Sequence, residues 1–225
     1  MSADTYEVEY RFLFEGGEEV CHRVTIDPAT MISIPPEGEP PSWARLEYRP
    51  CDGCELKGCE TCPVAVRIAP PLAALNGRVS HTPVTVTVHT KERDYVKATD
   101  LQEGLRSLLG LIMATSGCPA LAPFRFMARQ HLPFSTPEET VPRILSSYLL
   151  HQYFHHGNKG AIPFDPEAIT RLYNGMQTVN EGLLRRLQHA FQGDASANAV
   201  VLFSSYSLLI PLMIEDELEK LRRLF

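Results

Sequence analysis

Residues 84–119 read VTVTVHTKERDYVKATDLQEGLRSLLGLIMATSGCP, and the hydrophobic period changes inside this stretch. Over residues 84–89 β-branched residues alternate, as in a strand with one buried face, and residues 95–99 can pair back across the charged turn between them. The apolar positions that follow recur every three or four residues and are Leu101, Leu105, Leu108, Leu109, Ile112 and Met113. Asp100 and Glu103 form a capping box in front of this helical stripe. The stretch therefore predicts that a β part ends and an α part begins near residue 100.

The sequence before this stretch predicts further antiparallel strands. Residues 6–14 and 20–26 are strand-like and are separated by Glu-Gly-Gly-Glu at 15–18, which is typical of a hairpin. Four prolines between residues 31 and 42 exclude a helix or a sheet interior there, so we expect an extended loop. Residues 43–48 are predicted to form a short strand. We therefore expect an antiparallel β region over residues 1–99.

The remaining residues, 100–225, predict a bundle of about four helices. After the helix that begins at residue 101, further helices are expected over residues 136–154, from Asp165 to about residue 191, and from about residue 196 onward. Gly175 and Gly182 lie seven residues apart on one helix face, which predicts close approach by another backbone. The predicted fold class is α+β, with the two regions packed together as one unit.

The charge balance excludes one class of partner. The chain carries 21 Lys and Arg residues against 27 Asp and Glu residues, for a net charge of -6. Sequence-independent binding of nucleic acid needs a strong positive field, which this composition does not supply. Residues 1–26 lack the basic start and apolar run of a secretory signal, so we expect a cytoplasmic protein with reduced cysteines.

One segment is apolar enough to raise the question of a membrane. Residues 195–214 carry no charge over twenty positions, which is long enough to span a bilayer. The segment also contains an asparagine, several serines, a tyrosine and a proline, whose polar groups would be costly against lipid. We therefore expect a buried core helix, and no membrane partner.

The clearest chemical signal is a group of four cysteines within twelve residues. Cys51, Cys54, Cys59 and Cys62 form two C-x-x-C pairs. A C-x-x-C turn brings two sulfurs to one metal ion, and four thiolates complete the tetrahedral shell of a structural zinc site. The sequence therefore predicts a metal knuckle over residues 51–62 that holds Zn²⁺ through these four side chains.

The spacing of the pairs leaves two alternatives open. Zinc ribbons separate their pairs by about 15–20 residues, whereas four residues separate Cys54 from Cys59. Cys54, Cys59 and Cys62 also match the ligand spacing of a plant-type iron–sulfur cluster, for which Cys51 or Cys118 could be the fourth ligand. The other alternative is that no metal binds and the thiols are free or form disulfides.

A second group of candidate residues surrounds Cys118. Ser116, Arg125, Arg129 and His131 could bind an anion or another polar ligand, because hydroxyl, guanidinium and imidazole groups donate hydrogen bonds to anions. Alternatively, Cys118 could be a nucleophile with His131 as its base. The structural interpretation, in which Cys118 is a small buried side chain and the arginines bind carbonyl groups or make surface pairs, remains open.

The order of motifs resembles a known type of family. A hairpin start is followed by a cysteine-dense segment ending in Cys-Pro-Val-Ala at 62–65, by LLGLIMATSGCP at 108–119 and by His-Leu-Pro-Phe at 131–134. In this order the chain resembles an uncharacterised family of bacterial proteins of unknown function. The resemblance covers most of the chain and implies a bacterial source, but it implies no catalytic residue.

Two classes of function follow from these observations. The first is a non-enzymatic binding or adaptor protein, stabilised by the zinc site, whose partner is a protein or a small polar ligand. The absence of phosphate-loop, Rossmann and hydrolase motifs favours this class. The second is an enzyme that uses Cys118 with His131, or a redox protein that uses the cysteine cluster.

Overall fold

The computed structural model describes residues 5–156, 164–188, 190 and 194–224. Its strands are β1 (Tyr6–Phe14), β2 (Glu19–Asp27), β3 (Ile32–Ser33), β4 (Pro83–His89) and β5 (Asp94–Asp100). Its helices are α1 (Pro63–Ala74), α2 (Leu101–Ala114), α3 (Arg125–Arg129), α4 (Pro137–His156), α5 (Pro166–Leu187) and α6 (Ala195–Arg222). Two 3₁₀ turns cover Ser42–Ala44 and Pro119–Phe124.

The strands form one antiparallel sheet in the order β3-β2-β1-β4-β5. The predicted hairpins are confirmed, because β1 pairs with β2 and β4 pairs with β5 along their lengths. One face of β1 is open to solvent and carries an ion-pair cluster, in which Glu9 lies 2.6 Å from Arg11 and 2.8 Å from Arg23. The other face is apolar and covered, which is the arrangement that alternating sequences specify.

Helix α2 covers the apolar face of the sheet. Its start is the predicted one, since the Asp100 carboxylate accepts a hydrogen bond from the Glu103 amide at 3.0 Å. Gly104 lets the helix approach closely, because a Cβ built there would lie 2.8 Å from both Phe12 and Val86. This contact sets the distance between the sheet and the helical layer.

The helices after α2 form a layer on its far side. Helix α6 packs against α2, α4 and α5, and the buried side chains of the strands and helices form one hydrophobic core cluster. Among the helices of the described residues, α6 is the only unbroken one that is long and apolar enough to cross a membrane. In its most apolar stretch of 18 residues, 28% is buried inside the protein. Its exposed apolar residues are Val201, Leu208, Leu209 and Leu212.

Two sequence-based expectations are wrong. The region before residue 100 is not purely β, because it contains α1. The described residues after 100 form five α-helices, α2 to α6, where about four were expected, and the additional one is the five-residue α3. Helix α1 begins with Pro63 and includes Pro70 and Pro71, and its packing of Val64, Ile68 and Leu72 into the core outweighs the loss of backbone donors. Residues 43–48 do not form a strand; they hold part of a 3₁₀ turn and one isolated bridge between Arg45 and Thr61.

Residues 42–62, which we call the irregular segment, connect the sheet to α1. They contain the turn at Ser42–Ala44 and the isolated bridge but no helix or strand of regular length. Trp43, the single tryptophan of the chain, lies in this turn and is 9% exposed. The irregular segment therefore depends on side chains from other elements to satisfy its buried backbone groups.

Candidate functional site

A cavity of about 110 Å³ lies within the helical layer, between α2, α4, α5, α6 and the chain from residue 121 to 135. Most of its lining is aliphatic or aromatic. The polar side chains that reach it include Arg106, Ser107, His131, Arg143, Tyr173 and Tyr206. An apolar enclosure with a few convergent polar groups is the usual form of a small-molecule site.

Arg106 and Tyr206 form a satisfied pair on one wall. The Arg106 guanidinium binds the Glu103 carboxylate through two hydrogen bonds, of 2.6 and 2.7 Å, and lies 4.5 Å from the centre of the Tyr206 ring. The Tyr206 hydroxyl donates to the Ser135 carbonyl at 2.8 Å, so the Thr140 hydroxyl donates to the phenol oxygen at 2.6 Å. This wall is neutral overall, and its polar groups already have partners.

Arg143 brings a charge that is not neutralised by a direct ion pair. Its guanidinium donates to the carbonyls of Met127 and Gln130, at 3.0 and 2.6 Å, and forms no ion pair within the described residues. Burial lowers the pKa of Arg143, and the charge of Glu139 opposes that shift. The Glu139 side chain accepts from the Thr136 amide at the exposed start of α4. The cavity therefore carries a net positive character on the Arg143 side.

Tyr173 is a polar group of the cavity for which no hydrogen bond is found among the described residues. Its side chain is 4% exposed, and its hydroxyl makes no hydrogen bond within the part of the chain that the structure describes. Burial raises the pKa of this phenol, as does the charge of Tyr206, while the charge of Arg143 lowers it. The phenol is thus a neutral donor held close to a guanidinium.

His131 is held in place by the sheet below the cavity. Its Nε2 lies 2.6 Å from the hydroxyl of Tyr10 on β1, which in turn lies 2.9 Å from the Ser107 hydroxyl. Burial, aided by the charge of Arg143, lowers the pKa of His131 to about 3. A neutral imidazole can accept the Tyr10 proton at Nε2, so this nitrogen is engaged. The Ser107 oxygen also accepts from the Phe134 amide at 3.1 Å.

The structure does not bring the sequence-predicted ligand residues together. His131 lines the cavity, but the Ser116 hydroxyl is turned to the Met113 carbonyl at 2.7 Å. Arg129 is exposed and borders a different groove, and Arg125 does not line the cavity. The sequence analysis missed Arg143, Tyr173 and Tyr206. Tyr173 belongs to the apolar stripe of α5, and no pattern distinguishes a stripe residue beside a cavity from one in a filled core.

No hydrogen bond joins Cys118 to His131, both of which the structure describes. The Cys118 side chain accepts no capping hydrogen bond from the 3₁₀ turn that follows it, and the Leu121 amide donates to the Cys118 carbonyl at 3.2 Å. The pKa of the Cys118 thiol is raised by burial, the largest effect, which outweighs the influence of the neighbouring amides of Ala120 and Leu121. The charges of Cys62 and Cys54 act in the same direction, which places Cys118 beside the irregular segment. The structure thus assigns Cys118 to the surroundings of the cysteines and His131 to the cavity.

The cysteines of the irregular segment are not equivalent. Cys51, Cys54 and Cys62 are partly buried, whereas Cys59 is exposed. Within the described residues, no three His, Cys, Asp or Glu side chains are gathered closely enough to hold a metal ion. The predicted zinc knuckle of these four cysteines is therefore not formed in this conformation, and the binding of zinc stays a prediction.

Two buried residues of helix α5, Gly182 and Arg186, contact the irregular segment. A Cβ at Gly182 would lie 2.5 Å from the Cys51 sulfur and 3.1 Å from its Cα, which confirms the close backbone approach that was predicted there. Within the described residues nothing lies within 4 Å of a Cβ built at Gly175, so the same prediction is wrong for that position. One turn beyond Gly182, Arg186 is 1% exposed and donates to the carbonyls of Trp43, Arg45 and Leu46.

A larger groove of about 710 Å³ runs between the 119–126 chain, α4 and α5. Its lining is mostly apolar, and its guanidinium, that of Arg171, already pairs with Asp165 at 2.6 Å. The smaller cavity brings more charged and polar side chains together, so it is the better candidate for a specific ligand.

Residues 8–225 match the family described as "Domain of unknown function (DUF6901)", and the chain belongs to this family. The expectation of an uncharacterised family is confirmed by this match. Searches of the curated proteins and of the solved structures each found no match.

Proposed function

We propose that this member of a family of unknown function is a non-enzymatic binding protein for a small carboxylate with a short apolar chain. The observation that carries the proposal is that Tyr173 and Arg143 line the same cavity. The Tyr173 phenol is buried and forms no hydrogen bond among the described residues, and the partly buried Arg143 guanidinium, whose charge acts on this phenol, forms no ion pair among them. Both groups line the cavity and can donate hydrogen bonds into it, and a carboxylate accepts from both.

The size of the cavity limits the ligand. A volume of about 110 Å³ is well below the 300–1,000 Å³ of pockets for drug-sized ligands. Its aromatic and aliphatic lining favours a ligand that has an apolar end as well as a charged one. The neutral pair of Arg106 and Glu103 leaves Arg143 as the charge that selects a monoanion.

The hydrogen bonding of His131 supports binding over catalysis. A general base needs a free nitrogen within reach of the substrate proton. The Nε2 of His131 is engaged by Tyr10, and Cys118 lies beside the cysteines of the irregular segment. The polar groups of the cavity are therefore arranged to hold a ligand in place.

The test compares butyrate with its neutral counterpart, butanamide, on the full-length protein. We expect butyrate to bind more tightly, because the amide cannot pair with the Arg143 charge. Binding is measured by titration calorimetry and by saturation-transfer NMR, with acetate and hexanoate to find the chain length that fits. Equal binding of butyrate and butanamide, or no binding of any carboxylate at millimolar concentration, would overturn the proposal.

A conservative variant locates the site. Tyr173→Phe removes a hydroxyl that has no internal partner, so the fold should be retained while butyrate affinity falls about tenfold, or about 1.4 kcal/mol. Tyr148→Phe is the matched control, because Tyr148 is similarly buried at 7% exposure but lines the larger groove. Equal affinities for the two variants would place the ligand elsewhere and contradict the assignment.

A further inference from the structure

The two C-x-x-C pairs of the irregular segment have the same spacing but different backbone conformations. All of their cysteines are free thiols. A backbone hydrogen bond closes the turn from Cys51 to Cys54, and no such bond joins Cys59 to Cys62. This difference decides which pair can be oxidised to a disulfide, because that bond requires two Cα atoms within about 7 Å of each other.

Cys51 and Cys54 are the first and last residues of a β-turn. The Cys54 amide donates to the Cys51 carbonyl at 3.2 Å. Gly53 has a φ of +67°, the positive value that a type II turn needs at its third residue. The first and last Cα atoms of a β-turn are less than about 7 Å apart, so rotation of the two side chains can bring the sulfurs together while the backbone stays in place.

Helix α5 holds this turn in position. A Cβ at Gly182 would lie 2.5 Å from the Cys51 sulfur, so this sulfur packs directly against the helix. Arg185 donates to the Pro50 carbonyl at 3.2 Å and to the Asp52 carboxylate at 3.4 Å, on either side of Cys51 in the chain. The turn is therefore anchored in the reduced protein, and little further ordering of the backbone is needed when the sulfurs are joined.

The second pair is held open by pairing with another part of the segment. The Cys62 amide donates to the Ala44 carbonyl at 2.8 Å and not back to Cys59. The preceding residue, Thr61, forms the isolated antiparallel bridge, and Cys62 has an extended backbone. An extended chain separates residues that are three positions apart, whereas a turn brings them together. A disulfide between Cys59 and Cys62 would therefore disrupt this pairing.

We propose that Cys51 and Cys54 form a reversible oxidation site, at which a low-molecular-weight disulfide such as oxidised glutathione joins the two sulfurs, and that Cys59 and Cys62 do not form a disulfide under the same conditions. One thiolate of the pair attacks a sulfur of glutathione disulfide and releases a glutathione thiolate. The other thiolate attacks the protein sulfur of this mixed disulfide and releases the second glutathione. The pair loses two electrons and two protons, which convert one glutathione disulfide to two glutathione molecules.

The first experiment maps the disulfide in the full-length protein. A chelator first removes any metal ion, which would compete with oxidation for the thiols. The reduced protein is equilibrated in mixtures of reduced and oxidised glutathione, and the remaining thiols are alkylated in acid. Cleavage by trypsin at Lys57 places the two pairs on separate peptides, so their masses identify each disulfide. We expect the peptide with Cys51 and Cys54 to lose two hydrogen atoms.

Three results of this mapping would overturn the proposal. They are a disulfide between Cys59 and Cys62 that forms in the same mixtures, a link from Cys51 to a cysteine other than Cys54, and the absence of any protein disulfide in all mixtures. Mixed disulfides of glutathione with single cysteines are distinguished by the added mass of glutathione and count as the third result when no internal disulfide accompanies them.

Two matched serine variants remove one cysteine from each pair. Cys54→Ser should abolish the loss of two hydrogen atoms and leave Cys51 able to form only a mixed disulfide with glutathione. Cys59→Ser should leave the glutathione mixture at half oxidation unchanged. Circular dichroism of the reduced variants checks that both are folded. Oxidation that is lost in Cys59→Ser but kept in Cys54→Ser would assign the site to the wrong pair.

Two alanine variants test whether the closed turn selects the pair. Gly53 and Gly58 both have a positive φ, of 67° and 75°, and a Cβ at either meets nothing within 4 Å among the described residues. Alanine disfavours this conformation, which the disulfide keeps and the reduced chain can leave. Gly53→Ala should therefore shift the equilibrium toward the dithiol about fivefold, and Gly58→Ala should not change it. An equal shift in both variants, or none in either, would contradict selection by the turn.

Discussion

The sheet with α2 and the irregular segment both pack against the same core, but they are stabilised differently. In the sheet, each strand satisfies the backbone of its neighbour, and close contacts such as that of Gly104 with Phe12 and Val86 fit the helix to it. In the irregular segment, one side chain from α5, Arg186, binds three backbone carbonyls. Stability is spread over many small contacts in the first region and concentrated in a few side chains in the second.

The largest expected effect concerns Arg186, on which the backbone of the irregular segment depends. Arg186→Leu leaves three carbonyls of the irregular segment without their donor, and each unpaired buried acceptor costs about 1–3 kcal/mol. Because some of these carbonyls would form hydrogen bonds to water in the variant, we expect the free energy of unfolding in urea to fall by about 3–5 kcal/mol. Arg185→Leu is the control, because Arg185 is only partly buried and makes longer contacts with Pro50 and Asp52, at 3.2 and 3.4 Å. A similar loss in both variants would show that the segment does not depend on Arg186.

A smaller effect is expected where α2 meets the sheet. Gly104→Ala places a methyl group 2.8 Å from Phe12 and Val86, so side chains of the core must shift. We expect this shift to lower the free energy of unfolding by about 1–3 kcal/mol. Gly175→Ala meets nothing within 4 Å among the described residues and should stabilise the protein by up to about 1 kcal/mol through helix propensity. If the two variants shift the midpoint of thermal unfolding in opposite directions, the close contact at Gly104, and not the replacement of a glycine as such, causes the destabilisation. A shift in the same direction for both variants would refute this explanation.

The smallest effect concerns the start of α2. Asp100→Ala removes the acceptor of the Glu103 amide and should lower the free energy of unfolding by about 1 kcal/mol. Asp100→Asn keeps a side-chain oxygen at the cap and should lower the free energy of unfolding much less. If Asn proves as destabilising as Ala in the same denaturant titration, the charge of Asp100 and not its hydrogen bond is the stabilising feature.

The sequence predicted the regular region because local patterns determine it. Alternation identified β4 and β5, the Gly-Gly turn identified the first hairpin, and Asp100 with Glu103 marked the start of α2. Helix α1 escaped prediction because Pro70 and Pro71 disfavour helix locally, and only the tertiary packing of its apolar face compensates. Secondary structure can thus be inferred from sequence wherever local preference and packing agree.

The candidate sites were less accessible to sequence analysis. His131 was singled out, but its partner Tyr10 lies 121 residues away, and no local spacing relates them. Cys118 was considered with His131, whereas the structure places it near Cys54 and Cys62. Gly182 was recognised because a helix that meets another backbone needs a small residue there. Positions defined by contact between distant elements require the fold itself.

The position of Trp43 gives the irregular segment its own optical signal. Because it is the single tryptophan, fluorescence excited at the red edge of protein absorption comes from this segment alone. Far-ultraviolet circular dichroism, in contrast, arises mainly from the sheet and the helices. Unfolding followed by both signals therefore reports each region separately in the unmodified protein. Coincident transitions would mean that the segment and the helical layer unfold as one cooperative unit, and an earlier fluorescence change would mean that the segment opens first.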